Sequence, residues 1–147
     1  MSTDAHHVDH VEVFVNYDQE IDVLRTQFVS IISDYAARQD TSIQRLLFSS
    51  LGSLCDFFGT KITMNELIPH LGTCSNKKEF LIKLECLKSV TGVGIRVGKQ
   101  TLSQYMLLVY TQFLHDSEEL VVFEIIRTLS RLLKLRLISK STLMDDY

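Results

Sequence analysis

The residues best suited to chemistry in this sequence are three histidines near its start. Imidazole is the commonest zinc ligand, and helical spacing would place His6 and His10 on one side, with His7 beside them. No cysteine or carboxylate cluster completes a ligand shell around them. We therefore interpret these histidines as solvated side chains rather than as a metal site.

The other reactive side chains are scattered along the chain. Catalysis requires a convergent set of polar groups, such as a nucleophile with its base or a carboxylate pair. The cysteines form no close pair in sequence and have no basic neighbour there that would stabilise a thiolate. The sequence therefore predicts no catalytic residue, no cofactor-binding residue and no metal ligand. The candidates considered and rejected are His70, His115, Glu118, Glu119, Asp145, Asp146, Cys55, Cys74 and Cys86.

One glycine pattern imitates a phosphate-binding loop. Gly92, Gly94 and Gly98 have the form GxGxxxG, but a phosphate loop follows a strand, and no strand pattern precedes them. They lie in an apolar helical segment instead. We predict that glycines on the inner face of this helix let a neighbouring helix approach closely.

The element that must position all these residues is a helix face that occurs three times at a constant interval. A period near 40 with helix-sized units is typical of HEAT or armadillo repeats, in which one hairpin cannot bury its apolar face alone. The sequence therefore predicts an all-α fold, an α-solenoid of about three to four HEAT-like helical hairpins. The matching sets are Ile43, Ile82 and Val121; Leu47, Cys86 and Ile125; Ser50, Ser89 and Thr128; Leu51, Val90 and Leu129; Leu54, Val93 and Leu132.

The chain divides into three parts by pattern. Residues 1–19 are polar around a short apolar patch and are predicted to be a flexible lead-in. Residues 20–140 hold the HEAT-like repeats, and residues 141–147 are a C-terminal tail in which Thr142 could begin another helix.

The first half of the repeat region has clear helix signals. Apolar residues every three or four positions predict a helix from Glu20 to about Gln39. The first copy of the repeated helix follows and ends at Gly59 as a left-handed residue. Thr63 is expected to cap the next, shorter helix, with Glu66 completing a capping box. Pro69 should kink or shorten it.

The second half repeats this arrangement after a turn at residues 73–76. We predict a helix from Lys77 to Val97, an outer helix from Leu102 to Leu114 and a third copy from Leu120 to about Leu137. The third copy carries four basic residues toward its C-terminal end. The helix dipole favours cations at that end of a helix, and we prefer this explanation to a binding patch. The four basic residues are Arg127, Arg131, Lys134 and Arg136.

Composition narrows the class of function. The chain has 147 residues, one proline, 46% hydrophobic residues and a net charge of −3, which favours a folded domain and disfavours nucleic acid and anionic membranes as direct partners. No signal peptide or run of about 18 apolar residues is present, so membrane insertion is not expected. Three unpaired cysteines suit a reducing cytosol.

Three segments carry a resemblance to a known family. Leu54–Gly59, Val93–Gly98 and Phe113–Val122 resemble the patterns L-C-x-F-F-G, Y-V-G and L-x-D-x-E-E-F-V-V. These patterns occur in the helical-repeat region of the regulatory subunit of the class III phosphatidylinositol 3-kinase complex, and the similarity covers residues 43–140. Arg96 stands in place of an aromatic residue, and Lys83 in place of arginine. The kinase domain and WD repeats of that family have no counterpart in these 147 residues.

The resemblance implies a non-catalytic scaffold. Its partners would be the phosphatidylinositol 3-kinase catalytic subunit and the associated autophagy and sorting subunits. It would act in the cytoplasm, peripherally on endosomal, vacuolar or autophagic membranes through the complex.

Two other functions remain open. One is a free-standing small HEAT-like adaptor that binds a peptide or a transport receptor, and the other is a binder of membrane surfaces. A piece of a longer array should expose an apolar face at Leu132–Leu137 and associate with itself. An adaptor should be a soluble monomer, and a lipid binder should sediment with anionic liposomes in a salt-dependent way.

Overall fold

The protein is all-α. The computed structural model describes residues 9–139 and 144, and within that part of the chain there is no strand. Its helices are α1 (Asp9–Ala37), α2 (Thr41–Ile62), α3 (Ile68–Gly72), α4 (Phe80–Leu114) and α5 (Glu119–Lys134). A π-helical turn (Thr63–Leu67) and a 3-10 turn (Cys74–Asn76) flank α3. The predicted all-α helical repeat is confirmed.

The recurring helix face forms the core. Helix α4 packs between α2 and α5, and the matching positions of the three helices meet there. Ser50, Leu54, Ile43 and Leu129 are partly buried, and the other matching positions are buried. Each helix therefore buries the same stripe against its neighbour, because none could cover that stripe alone. The buried members are Leu47, Leu51, Ile82, Cys86, Ser89, Val90, Val93, Val121, Ile125, Thr128 and Leu132.

Two glycines break the long helices at equivalent positions. Gly59 has φ 73° and ψ 173°, and Gly98 has φ 83° and ψ 171°. The positive φ predicted for Gly59 is correct, and Gly98 shares it. At both residues ψ differs from that of a left-handed helical cap, and a new helical segment starts at once. This combination of angles is essentially restricted to glycine. The chain thus passes from inner to outer helix without a loop.

Two further glycines set the distance between helices. A Cβ placed on Gly92 of α4 would lie 3.6 Å from the Cα of Gly52 in α2, so the two backbones cross in close contact. A Cβ on Gly94 would lie 3.0 Å from a methyl carbon of Leu102. The predicted close approach at Gly92 and Gly94 is therefore present, and Gly52 is a partner that the pattern did not reveal.

The first helix is longer than the sequence suggested. α1 begins at Asp9, so the predicted start at Glu20 is wrong, and residues 9–19 of the predicted lead-in are helical. The reason is that no glycine or proline occurs between Asp9 and Ala37 to stop the helix. Residues 1–8 of the lead-in, and the tail except residue 144, lie outside the described residues.

The region around Pro69 also differs from its prediction. Thr63 does not cap a helix, because it lies in the π-helical turn that continues from α2. Pro69 stands in the first turn of α3, just after that turn. Since proline has no N–H, the hydrogen-bond ladder cannot pass through this position unchanged. The π-helical turn ends at Leu67, just before Pro69, and the expectation that Pro69 kinks or shortens the helix stays a prediction. The predicted capping box of Thr63 and Glu66 is wrong.

The last helix ends in a turn that was not predicted from the sequence. α5 ends at Lys134, before the predicted Leu137. Arg136 has φ 57°, its N–H donates to the carbonyl of Leu133 at 3.0 Å, and the Leu137 N–H donates to the carbonyl of Leu132 at 2.9 Å. These two bonds define a Schellman motif. An arginine occupies the position where glycine is usual, which is why the motif was not recognised.

Candidate interaction surfaces

A groove runs between the repeated helices α2 and α4. It has a volume of about 380 Å³, and the residues that line it include the small side chains Ser49, Ser53 and Ser89. The groove exists because Gly52 and Gly92 bring the helix backbones together without side chains to fill the gap. The hydroxyls of Ser49 and Ser89 donate to carbonyls of their own helices, at 2.8 Å and 2.7 Å, so their oxygens can still accept a hydrogen bond.

Charged residues border this groove. The guanidinium of Arg96 in α4 lies 2.7 Å from Asp56 in α2, and Lys88 lies 3.2 Å from Glu85 on its own helix. A second depression, beside the N-terminal half of α2, is lined by Arg45, Leu46 and Glu85 together with Ser42 and Ser49. Ser49 lines both depressions, and Glu85 of the second pairs with Lys88 of the first, so the two depressions form one surface.

The same charge pair recurs on α5. Glu124 occupies the position of Glu85, and Arg127 the position of Lys88, one repeat further along the chain. Glu124 is nearly buried, and its two oxygens lie 3.6 Å from Arg131 and 3.8 Å from Arg127. The three helices bury equivalent stripes, so these positions face the same side of the molecule. Two of the four cations that were interpreted as helix-end charges thus belong to a charge network.

A second surface is the outward stripe of α1. Five apolar side chains, each 39–61% exposed, are spaced seven, four, three and four residues apart. On a helix of 3.6 residues per turn this spacing places them on one face. The neighbouring face of α1 packs on the core through Ile32 and Ala36. We name the exposed set the α1 stripe; it consists of Tyr17, Leu24, Phe28, Ile31 and Tyr35.

The other end of the stack also exposes apolar side chains. Leu120, Phe123, Ile126 and Leu135 are about half exposed or more. The expected apolar face at Leu132–Leu137 is only partly correct, because Leu132 is buried and Leu135 is the apolar residue of that segment that lies most open.

The histidines considered in the sequence have ordinary partners. Nε2 of His70 lies 3.2 Å from the hydroxyl of Ser33, which ties α3 to α1. Burial lowers the pKa of His70, so its neutral form is favoured. Nδ1 of His115 lies 2.9 Å from the carbonyl of Thr111. His6 and His7 are outside the described residues, as is the side chain of His10.

The cysteines are buried thiols. Cys55, Cys74 and Cys86 are all free and buried. Burial raises the pKa of Cys86 well above its ordinary value, and the neighbouring Cys74 raises it further. Burial also raises the pKa of Cys55. The fold brings Cys74 and Cys86 together although they belong to different helical elements and form no close pair in sequence. Burial therefore disfavours the thiolate form of Cys86.

Metal-binding clusters and membrane-spanning helices are both absent from the part of the chain that the structure describes. Among the side chains that the structure describes, no group of three or more histidine, cysteine, aspartate or glutamate residues is placed to hold a metal ion. No helix in that part of the chain is long and apolar enough to cross a bilayer.

Comparison with known proteins relates the chain to one family. Residues 1–146 match the family described as PIK3R4-like, middle domain. The chain is 29% identical over 142 residues to a Candida glabrata protein named non-specific serine/threonine protein kinase; this covers 96% of the chain and 10% of that relative. It is 25% identical over 130 residues to the probable serine/threonine-protein kinase vps15 of Dictyostelium discoideum, covering 88% of the chain and 7% of that relative. The chain therefore spans about a tenth of the length of these relatives or less.

Proposed function

Since this chain belongs to the PIK3R4-like middle-domain family, we propose that it is a non-catalytic scaffold segment of a class III phosphatidylinositol 3-kinase complex. Its task is to hold the lipid kinase catalytic subunit and the associated sorting or autophagy subunits in a fixed arrangement. The complex would act peripherally on endosomal, vacuolar or autophagic membranes, with this segment on the cytoplasmic side.

The α1 stripe is the observation that carries this proposal. Soluble proteins rarely leave large apolar side chains in one continuous row, and such rows mark places where other protein surfaces dock. The stripe has the spacing of a helix that packs along another helix. A scaffold works by presenting such surfaces on a rigid body, and the buried repeat of α2, α4 and α5 supplies that body.

The reactive residues support a role in assembly more than one in catalysis. Burial raises the pKa of the Cys55 and Cys86 thiols. His70 contacts a serine hydroxyl, and His115 contacts a backbone carbonyl. A nucleophile and its base have to meet in an accessible cleft. The described side chains offer no such pair.

The test is purification of the tagged protein from its own cells, with partners identified by mass spectrometry. We expect a phosphatidylinositol 3-kinase catalytic subunit among them. The double variant Leu24→Asp/Ile31→Asp places two charges in the α1 stripe and should reduce recovery of that subunit by about tenfold or more, because central apolar contacts dominate interface energy.

Ser30→Asp is the matched control, because Ser30 is exposed on α1 but lies outside the stripe. It should leave recovery unchanged, and circular dichroism should show the same helix content for all three proteins. If the wild type recovers no lipid kinase subunit, the proposed function fails. Recovery of a single peptide-bearing partner instead would favour the free-standing adaptor.

A further inference from the structure

The side of the molecule formed by the repeated helices carries a charge opposite to that of the whole chain. It presents six cations and three carboxylates, the latter being Asp56, Glu85 and Glu124. Its formal charge is thus +3, whereas the complete chain has −3. We name this the inner surface; its cations are Arg45, Lys88, Arg96, Arg127, Arg131 and Lys134.

The third repeated helix, α5, supplies most of the excess positive charge of the inner surface. Positions that hold Ser49, Ser53 and Asp56 in α2 hold Arg127, Arg131 and Lys134 in α5. The helices keep the same rotation, because equivalent residues are buried in all three. The surface therefore changes from small and polar over α2 to basic over α5. Cations that serve only the helix dipole would not need to share a face with Lys88 and Arg96 of another helix.

We propose that the inner surface binds an acidic peptide segment that also carries apolar side chains. Carboxylates of such a segment would meet the cations of α4 and α5, and its backbone would lie over the serine-lined groove between α2 and α4. This inference rests on the proposed scaffold function, because it assigns the surface by which the scaffold would hold one partner.

The carboxylates already present hold the cations in place. Asp56 lies 2.7 Å from Arg96 and Glu85 lies 3.2 Å from Lys88, so these two cations are oriented before a partner arrives. Glu124 lies 3.6 Å from Arg131 and 3.8 Å from Arg127, which places its charge beside both without a hydrogen bond. Preorganised cations lose less side-chain freedom on binding. Arg127 remains 56% exposed in its side chain, which leaves its outer N–H groups available for a carboxylate of the partner.

Shape and apolar contacts favour a peptide over a bilayer. The groove is a depression between two helices, which accepts an extended chain, while a flat bilayer surface would touch only its rims. Ile95 in the first depression and Leu46 in the second are both more than half exposed. They give an acidic peptide two places to dock apolar side chains. The surface would therefore select a peptide by the spacing of its apolar residues as well as by its charge.

The experiment measures binding of two short fluorescent peptides to the full chain by anisotropy. In one peptide glutamate and leucine alternate with serine, and the other has the same length with lysine in place of each glutamate. We expect the acidic peptide to bind and the basic one not to bind. Affinity should fall as salt is raised, because exposed ion pairs are screened.

Charge reversal locates the site. Lys88→Glu and Lys134→Glu should each weaken binding of the acidic peptide by about tenfold. Lys61→Glu is the control: it changes net charge equally but lies in the last turn of α2, beyond Gly59 and outside the groove, and should change affinity by less than about twofold. Circular dichroism of each variant checks that helix content is unchanged.

Three results would overturn the inference: no binding of the acidic peptide, equal binding of the basic peptide, or equal weakening by Lys61→Glu. Sedimentation with vesicles of anionic lipid, abolished by Lys88→Glu, in the absence of peptide binding would assign the surface to membranes instead. If the peptide fails to bind while the lipid kinase subunit is still recovered from cells, this inference fails and the proposed function stands. If the peptide binds but no lipid kinase subunit is recovered, the proposed function fails alone.

Discussion

The first two repeated helices turn at glycine, whereas the third turns at arginine. Gly59 and Gly98 have positive φ with ψ of 173° and 171°, and each connects two helical segments directly. Arg136 has φ 57° and closes a hydrogen-bonded helix end. A left-handed helical residue can have a side chain at a cost of about 1–2 kcal/mol. The repeat thus requires glycine only where a helix must continue at once in another direction.

The largest effect should come from removing one of these glycines. Gly98→Ala should lower the free energy of unfolding by about 3 kcal/mol, since a side chain is strained at these backbone angles. A Cβ there would meet no atom within 4 Å, so the loss measures backbone strain alone. Urea denaturation followed by circular dichroism gives the value.

Gly72→Ala is the matched control for that variant. Gly72 ends α3, and a Cβ there would meet only a Val109 methyl at 4.0 Å. We expect no loss of stability, or a gain of up to about 1 kcal/mol from reduced backbone freedom. Equal losses for Gly72→Ala and Gly98→Ala would contradict the distinction between the two kinds of glycine.

A smaller loss of stability should come from breaking the ion pair between Lys83 of α4 and Asp116, which follows α4. Nζ of Lys83 lies 2.5 Å from Oδ2 of Asp116, and both side chains are mostly buried. Burial by itself would raise the pKa of Asp116, but hydrogen bonds from Lys83 and from the Glu118 N–H outweigh it and lower the pKa. Asp116→Asn should cost about 2 kcal/mol at pH 7, because it leaves a charged ammonium without its counterion.

The pH dependence of that cost has a definite sign. The folded-state pKa of Asp116 is below its unfolded value, so its contribution is complete above the unfolded pKa and is lost as pH falls through the folded pKa. The difference in unfolding free energy between wild type and Asp116→Asn should therefore shrink on acidification below about pH 4. A difference that stays constant under strong acidification would show that Asp116 acts through its shape and not its charge.

The smallest effect is expected at the arginine itself. Arg136→Gly should raise the free energy of unfolding by about 1 kcal/mol, because glycine enters the left-handed region without strain. Lys134→Gly, two residues earlier and still helical, should instead lower it by about 1 kcal/mol. Thermal denaturation of both variants shows whether each is more or less stable than the wild type. A loss of stability in Arg136→Gly would contradict the claim that Arg136 is strained.

The regular parts of the fold could be predicted from sequence because their signals are local. The recurrence of one helix face identified the buried stripes, and the end of α4 at Leu114 was predicted at the correct residue. The sequence predictions were wrong where the residue type usual for a helix end was missing, or where a residue type is compatible with two local structures. Asp9 looked like part of a polar lead-in, Thr63 like a cap, and Arg136 gave no sign of a left-handed turn.

By itself, the sequence determined that the chain is a helical repeat, which faces of its helices are buried, and that Gly59 at the end of the first repeated helix has a positive φ. Only the tertiary structure decided which buried stripes meet, that Gly52 faces Gly92, that Cys74 lies beside Cys86, and that the α1 stripe is left open. The physical reason is that helix periodicity fixes the direction of each side chain from its own segment. The neighbour that covers it, and the net charge of a surface built from three helices, depend on how those helices stack.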